Sequence, residues 1–363
     1  MRILTASDAW HPQVNGVVRT YERLSIELAA LGVEMSVIGP EEFRTLPCPT
    51  YPEIRLAMPG MQRFAQRFEA LKPDAVHIAT EGPIGWMARR YCLKRGIRFT
   101  TSFHTRFPQY LSQRFAVPEN WTLSLLRRFH NAGAGLMVAT PSLARELEAN
   151  GFEHVMPWTR GVDTDLFHPR DIRLFGDGPV FLYVGRVSTE KNIGAFLNLD
   201  LPGRKVVVGG GPQLDELRAR YPDVTFTGKR TGEELAQCYA SADVFVFPSR
   251  TDTFGIVLLE AMASGLPVAA LPVCGPRDIV IDGVSGILSE DLRTAALSAQ
   301  RLDRDIVRAS VAHYSWENAA RLFLANITDA CLTGEARACA RRNLPSPMAA
   351  SRTPVRQQPR ATH

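Results

Sequence analysis

Short apolar runs alternate with stretches of helical periodicity along this chain, and the alternation occurs twice. RILTAS (2–7) precedes VVRTYERLSIELAALG (17–32), which precedes EMSVIGP (34–40). Parallel strands cannot be joined by a tight turn, so a strand, helix, strand order predicts a parallel sheet with crossover helices packed on its faces. Val18, Leu24, Leu28 and Leu31 fall near one side of the predicted helix, and Gly32 is placed to end it. AVHIAT (75–80), RFTTSFH (98–104) and LMVAT (136–140) extend this first series. A second opens at PVFLYVGRV (179–187) and runs through KVVVGGG, VTFTG, DVFVFPS and PVAALP to residue 272.

Between the series lies RGVDTDLFHPRDIRLFGDGP, rich in turn formers and without periodicity, which marks a linker. A chain of 363 residues is also too long for one core of usual size. The expected fold class is α/β, with two Rossmann-like doubly wound domains at 1–160 and 178–312 and a linker at 161–177. Ligands of such folds bind beyond the C-terminal ends of the strands, so the predicted site is the cleft between the domains. HYSWENAARLFLANITDACL predicts a helix within 313–333, with Trp316, Ala320, Phe323 and Ile327 on one face. Residues 334–363, rich in proline and arginine and poor in large apolar side chains, are expected to form a disordered tail.

The net charge of +5 is unevenly placed: residues 334–363 carry six arginines and one acid, Glu335, so the rest of the chain balances to zero. Within that remainder, residues 1–160 hold 19 basic and 14 acidic side chains, and 161–333 hold 17 and 22. This distribution argues against nucleic acid as the partner. It suits a first domain that approaches an anionic membrane leaflet, where each well-placed Lys or Arg contributes about 1 kcal/mol. No stretch approaches the roughly 18–20 apolar residues that cross a bilayer, and MRILTASDAW lacks the apolar core of a signal peptide, so it is read as a first strand. Six scattered cysteines, with no C-x-x-C pair, signal neither a zinc site nor a secreted disulfide framework. The expected location is the cytoplasm, peripheral on the inner face of the plasma membrane.

Several loops carry candidate chemistry. SDAWHPQVNGVVRT joins a strand to a helix with Asn15-Gly16 at the turn, where helix-start amides suit a phosphate. In YVGRVSTEKN, Arg186 and Lys191 follow a strand end and are placed to converge on a diphosphate leaving group, whose charge grows as its bond to the sugar breaks. Gly209, Gly210 and Gly211, with Pro212 predicted to open a helix, let backbone approach a ligand or simply turn tightly. His104 ends a strand of the first series and is placed to donate to a sugar hydroxyl or to phosphate.

SRTDTFGIVLLEAMASG supplies the last pair. Asp252 falls in the loop after a buried strand, and Glu260 on a helix predicted over Ile256 to Ala263 with Gly265 as its stop. A carboxylate among Leu258, Leu259, Ala261 and Met262 is costly without hydrogen-bond donors, and neighbouring ribose hydroxyls would provide two. A structural salt bridge is the plain alternative. Two short D-x-D matches, Asp163 with Asp165 and Asp303 with Asp305, lie away from strand ends and are read as chance.

Taken together, VGRVSTEKN, GGGPQLDEL, YASADVFVFPSRTDTFGIVLLEAMASGLPVAA and RGVDTDLFHP resemble the retaining nucleotide-sugar glycosyltransferases of the GT-B class, family 4. They are most similar to bacterial mannosyl-, glucosyl- and sulfoquinovosyl-type enzymes that build glycolipids and surface glycans. The resemblance covers about residues 1–333. It implies that Asp252 contacts the donor hexose, Glu260 the ribose, and Arg186 and Lys191 the diphosphate. It further implies that Asn15 and Gly16 form a phosphate loop, that Phe254 and Gly255 border the donor, that Lys229 lies near the base, and that His104 flanks the reacting sugar. His104, Asp252, Arg186 and Lys191 are thus the implied catalytic set. The family pattern has Glu where this chain has Asp252, one methylene shorter, which leaves the donor open between GDP-mannose, a UDP-hexose and a UDP-uronic acid. The class implies front-face attack by the acceptor hydroxyl without a protein nucleophile, a cofactor or an essential metal.

The acceptor expected from this resemblance is a lipid or a lipid-linked glycan. Arg63, Arg67 and Lys72 near Phe64 and Phe68, and Arg114, Arg127 and Arg128 with Phe115, Trp121, Leu125 and Leu126, form basic aromatic segments suited to a membrane interface. Two other readings remain open at this stage: a nucleotide-sugar epimerase of the same architecture, and a noncatalytic nucleotide-sugar or polyanion-binding protein using the arginine tail.

Overall fold

Each strand series folds into its own six-stranded parallel sheet. The computed structural model of the protein describes residues 1–13, 15–48, 51–58, 60–104 and 119–332. The first sheet has the order β2-β1-β5-β6-β7-β8, from β1 (Arg2–Ala6), β2 (Glu34–Ile38), β5 (Ala75–Ile78), β6 (Phe99–Phe103), β7 (Gly135–Val138) and β8 (Val155–Pro157). A separate antiparallel hairpin, β3 (Thr45–Cys48) and β4 (Tyr51–Ala57), is inserted after β2. The second sheet runs β11-β10-β9-β12-β13-β14, from β9 (Val180–Val184), β10 (Arg204–Val208), β11 (Thr225–Gly228), β12 (Val244–Phe247), β13 (Val268–Ala270) and β14 (Gly286–Leu288).

The helices of the first domain are α1 (Gly16–Ala30), α2 (Met61–Leu71), α3 (Pro83–Arg95), α4 (Glu119–His130) and α5 (Pro141–Ala149). The second series carries α6 (Ile193–Leu197), α7 (Leu214–Arg220), α8 (Gly232–Ala240), α9 (Ile256–Ala263), α10 (Pro276–Ile279), α11 (Leu292–Ala299) and α12 (Arg304–Ala309). Helix α7 begins two residues after Pro212, so that proline precedes the helix and does not open it.

Both faces of each sheet are covered, which is why the strands read as unbroken apolar runs and not as alternating ones. On β9, Val180, Leu182 and Val184 point into one core while Phe181 and Tyr183 point into the other. The last helix, α13 (Trp316–Cys331), leaves the second domain and packs on the first sheet. Its Ala320, Phe323 and Ile327 join Tyr21, Leu24 and Leu28 of α1 in one buried cluster. Trp158 Nε1 donates to Ala319 O at 3.1 Å and Asn326 Nδ2 to Pro157 O at 2.8 Å, fixing the crossing.

The linker has no regular structure but is packed: Val162 and Phe167 are buried in the second domain's core, and Asp163 pairs with Arg23 of α1 at 3.4 Å. Both D-x-D matches have structural roles. Asp163 Oδ1 accepts from the amides of Asp165 and Leu166, and Asp303 caps α12 through the amides of Asp305 and Ile306.

Candidate active site

In each sheet the strand order reverses at one point, between β1 and β5 and between β9 and β12. Loops leaving the two strands at such a point diverge to opposite faces and open a crevice between them. Arg186 and Lys191 lie on the loop after β9, and Asp252 on the loop after β12, so all three edge the same crevice. Asn192 Nδ2 donates to Pro248 O at 3.0 Å and Thr251 Oγ1 to Glu190 O at 3.4 Å, stitching the two loops together. Lys191 Nζ consequently meets Asp252 Oδ1 at 2.5 Å. The other oxygen, Asp252 Oδ2, is buried and has no hydrogen-bond partner among the described residues. A carboxylate oxygen in that state has acceptor capacity unfilled by the protein.

Glu260, on α9, is 4% exposed. Tyr239 Oη donates to its Oε2 at 2.8 Å, and Arg19 Nη1 of α1 stands 3.6 Å from Oε1 across the cleft. Burial pushes its proton affinity above the usual carboxylate range, while Arg19 and the Tyr239 hydroxyl oppose that. The salt bridge is therefore present, but it crosses between domains and leaves Oε1 on the cleft side.

His104 has protein partners on both ring nitrogens. Arg160 Nη2 donates to Nδ1 at 3.1 Å, and Nε2 lies 3.0 Å from Tyr21 Oη. Tyr21 Oη in turn lies 2.8 Å from His77 Nε2, and His77 Nδ1 lies 2.8 Å from Thr100 Oγ1. Burial first, and the Arg160 charge second, hold His104 well below its ordinary pKa and His77 down to about 3, so both rings are neutral at physiological pH. Arg160 is itself 4% exposed and lies 4.0 Å over the Trp158 ring; burial lowers it to about 10, and it stays charged.

The remaining predicted positions divide. Gly16 starts α1 with open space where a Cβ would be, as a close ligand approach requires. Asn15 caps that helix, its Oδ1 accepting from Val17 N at 2.9 Å and Val18 N at 3.1 Å, so those two amides are occupied by the protein. Phe254 is buried in the core against Tyr314, which leaves its backbone and not its ring facing the loop. Gly255, at φ +90, makes the turn into α9. Two of the three glycines serve backbone packing: a Cβ on Gly209 would sit 1.8 Å from Gly185 O and one on Gly211 2.3 Å from Val187 O, while Gly210 faces open space. Lys229 is exposed after β11.

Of the two basic aromatic segments, the first is corrected: Phe64 and Phe68 of α2 are buried in the domain core, and Arg67 is paired with Glu42. In the second, Trp121 is 65% and Leu125 37% exposed on α4, Leu126 is buried, and Arg127 and Arg128 are exposed. Arg114, Phe115 and the 334–363 tail lie outside the described residues. Sequence reading missed Arg19, Tyr21, Tyr239, Arg160 and Thr253, because each acquires its significance from a partner far along the chain.

Two parallel sheets facing one cleft, with Lys191 against Asp252 at the second sheet's switch point, are the layout of a GT-B glycosyltransferase. A family model for Glycosyltransferase Family 4 matches residues 14–166, and one for Glycosyl transferases group 1 matches residues 178–304. The chain is 30% identical over 317 residues to a GDP-mannose-dependent alpha-mannosyltransferase of Mycolicibacterium smegmatis, covering 79% of this chain and 84% of that one. It is also 30% identical over 306 residues to the sulfoquinovosyl transferase SQD2 of Arabidopsis thaliana, covering 75% of this chain and 60% of that protein. In fold it is similar to a sucrose-phosphate synthase from Thermosynechococcus elongatus, with a TM-score of 0.72 at 22% identity over 88% of this chain and 96% of that one. The chain belongs to glycosyltransferase family 4, and it is an enzyme of that class.

Proposed function

We propose that the enzyme transfers a hexosyl group, mannose from GDP-mannose foremost, to a hydroxyl of a lipid or lipid-linked glycan with retention at the anomeric carbon. The observation that carries this reading is the contact of Lys191 with Asp252 at 2.5 Å on the second domain's switch-point loops. An ammonium beside a carboxylate whose second oxygen has no hydrogen-bond partner among the described residues offers one group for a diphosphate and one for hexose hydroxyls. On donor entry the ammonium turns to the diphosphate with Arg186, while Asp252 accepts from the sugar and Glu260 Oε1 from the ribose. Gly16 lies at the start of α1, where an amide and an absent side chain suit a phosphate.

As the anomeric bond loosens, charge grows on the leaving diphosphate, and fixed cations stabilise that state more than the ground state. The diphosphate oxygen takes the proton of the attacking acceptor hydroxyl. We assign no step to a metal ion, a cofactor or a protein nucleophile. His104 stands on the first-domain side of the sugar. The 30% identity to a GDP-mannose-dependent enzyme supports the donor, and the exposed Trp121 and Leu125 beside Arg127 and Arg128 support docking on an anionic membrane that holds the acceptor.

Calorimetric titration with a panel of GDP- and UDP-sugars, followed by transfer assays on membrane lipids, tests the reading. GDP-mannose is expected to bind most tightly, and Lys191→Ala to lose turnover by about a hundredfold or more. Full activity in that variant, or no transfer from any nucleotide sugar by the native enzyme, refutes it.

A further inference from the structure

His104 touches both domains, and it does so with different parts. Its ring belongs to the first domain and the linker. A guanidinium can only donate, so the Arg160 contact leaves Nδ1 without a proton. In a neutral imidazole the proton is then on Nε2, which donates to Tyr21 Oη; Tyr21 Oη and Ser102 Oγ, 3.3 Å apart, lie 2.8 and 3.0 Å from His77 Nε2, and His77 Nδ1 lies 2.8 Å from Thr100 Oγ1. Both ring nitrogens are thus hydrogen-bonded within a buried network, which holds the residue in place at the end of β6. Its main-chain oxygen faces the other way, and Thr253 Oγ1 of the second domain donates to it at 2.7 Å. On the same loop, Thr253 O accepts from Thr140 Oγ1 of the first domain at 3.5 Å. Thr253 is flanked by Asp252, which pairs with Lys191, and by Phe254, which is anchored in the core.

We infer that Thr253 is a positioning residue: its hydroxyl fastens the Asp252 loop to the His104 carbonyl when the two domains meet, so the Asp252 carboxylate is aligned for the donor sugar only in the closed arrangement. The inference rests on the donor-binding reading above and adds to it a reason why cleavage waits for closure. In the open arrangement the loop loses both first-domain contacts and keeps only those within the second domain: Thr251 to Glu190, Asp252 to Lys191, and the buried Phe254 ring. Water reaching the cleft then meets a donor whose sugar is not yet gripped, which limits wasteful hydrolysis.

Thr253→Val keeps the shape and removes the donor; Thr253→Ser restores it. In Thr253→Val, kcat for transfer is expected to fall about tenfold while the dissociation constant of the nucleotide sugar changes by less than about twofold, with Thr253→Ser recovering most of the loss. A merely structural role would instead lower affinity and thermal stability together with kcat. Hydrogen–deuterium exchange of the peptide spanning residues 249–258 supplies a readout that needs no substrate: it is expected to quicken in Thr253→Val and return to the native rate in Thr253→Ser. Native kcat or native exchange in Thr253→Val overturns the inference and leaves the donor reading intact. A native enzyme that transfers no sugar overturns the donor reading, and the exchange measurement still decides whether Thr253 fastens the loop.

Discussion

Arg19 on α1 of the first domain stands 3.6 Å from Glu260 on α9 of the second, a salt bridge spanning the cleft. Burial raises the proton affinity of Glu260 and Arg19 opposes it, so removing the guanidinium raises it further. In the proposed donor complex ribose hydroxyls donate to the carboxylate, so donor binding is expected to weaken as pH falls and Glu260 takes up its proton. Arg19→Ala is therefore expected to move the acid limb of donor affinity to higher pH. Titration calorimetry across the acidic range checks this, and an unmoved limb would show that Glu260 does not meet the ribose.

Asp252→Asn keeps the side chain's shape and removes its charge. The pair with Lys191 is about one-fifth exposed, so its loss is expected to cost no more than about 1 kcal/mol of stability. Turnover should fall about a hundredfold, because on the proposed reading the sugar loses a charged acceptor and the ammonium its counter-charge. Denaturant unfolding and steady-state kinetics on the same preparation separate the two effects.

Tyr21→Phe deletes the hydroxyl that joins His104 to His77, leaving His104 Nε2 without that partner while His77 Nε2 keeps Ser102 Oγ at 3.0 Å. The expected cost is about 1–3 kcal/mol. In the native protein, nitrogen-detected NMR should find His104 neutral with its proton on Nε2. A His104 that titrates near its ordinary pKa would contradict the network.

Asp8, in the loop after β1, accepts from the amides of Ile84 and Gly85 and from Thr80 Oγ1, yet burial pushes it from 3.8 up to about 6. A folded pKa above the unfolded one means this group's stabilisation is full below about 3.8 and is lost as pH rises through about 6. Asp8→Asn should remove that dependence. The melting-temperature advantage of native protein over variant is expected to grow between about pH 7 and about pH 5. A constant difference would refute the assignment.

Trp121 and Leu125 are exposed apolar side chains of the fourth helix and, on the proposed reading, its contact with lipid. Replacing both with serine is expected to weaken sedimentation with anionic vesicles several-fold while leaving transfer to a detergent-dispersed acceptor near native. Equal vesicle binding would move the docking surface elsewhere.

The strands around Arg186, Asp252 and His104 could be read from sequence because a doubly covered parallel strand is a local signal: an unbroken apolar run ended by glycine, proline or a polar loop. Helix α9 was also legible: the span expected from Gly265 as its stop, about Ile256 to Ala263, is the one observed. The α2 segment misled because its arginines and phenylalanines are adjacent in sequence but point to opposite sides of a helix, Phe64 and Phe68 inward. Short β8 and β14 and the β3–β4 hairpin carry too few residues to set a period. Sequence alone determined two parallel sheets, the loops that leave them, and the family to which those loops belong. Only the tertiary structure decided which groups face each other: Arg19 meets Glu260 and Thr253 meets His104 because folding brings together residues 241 and 149 positions apart in the chain. Hydrogen bonds and ion pairs of that kind depend on distances of a few ångströms, and no local pattern of residues encodes them.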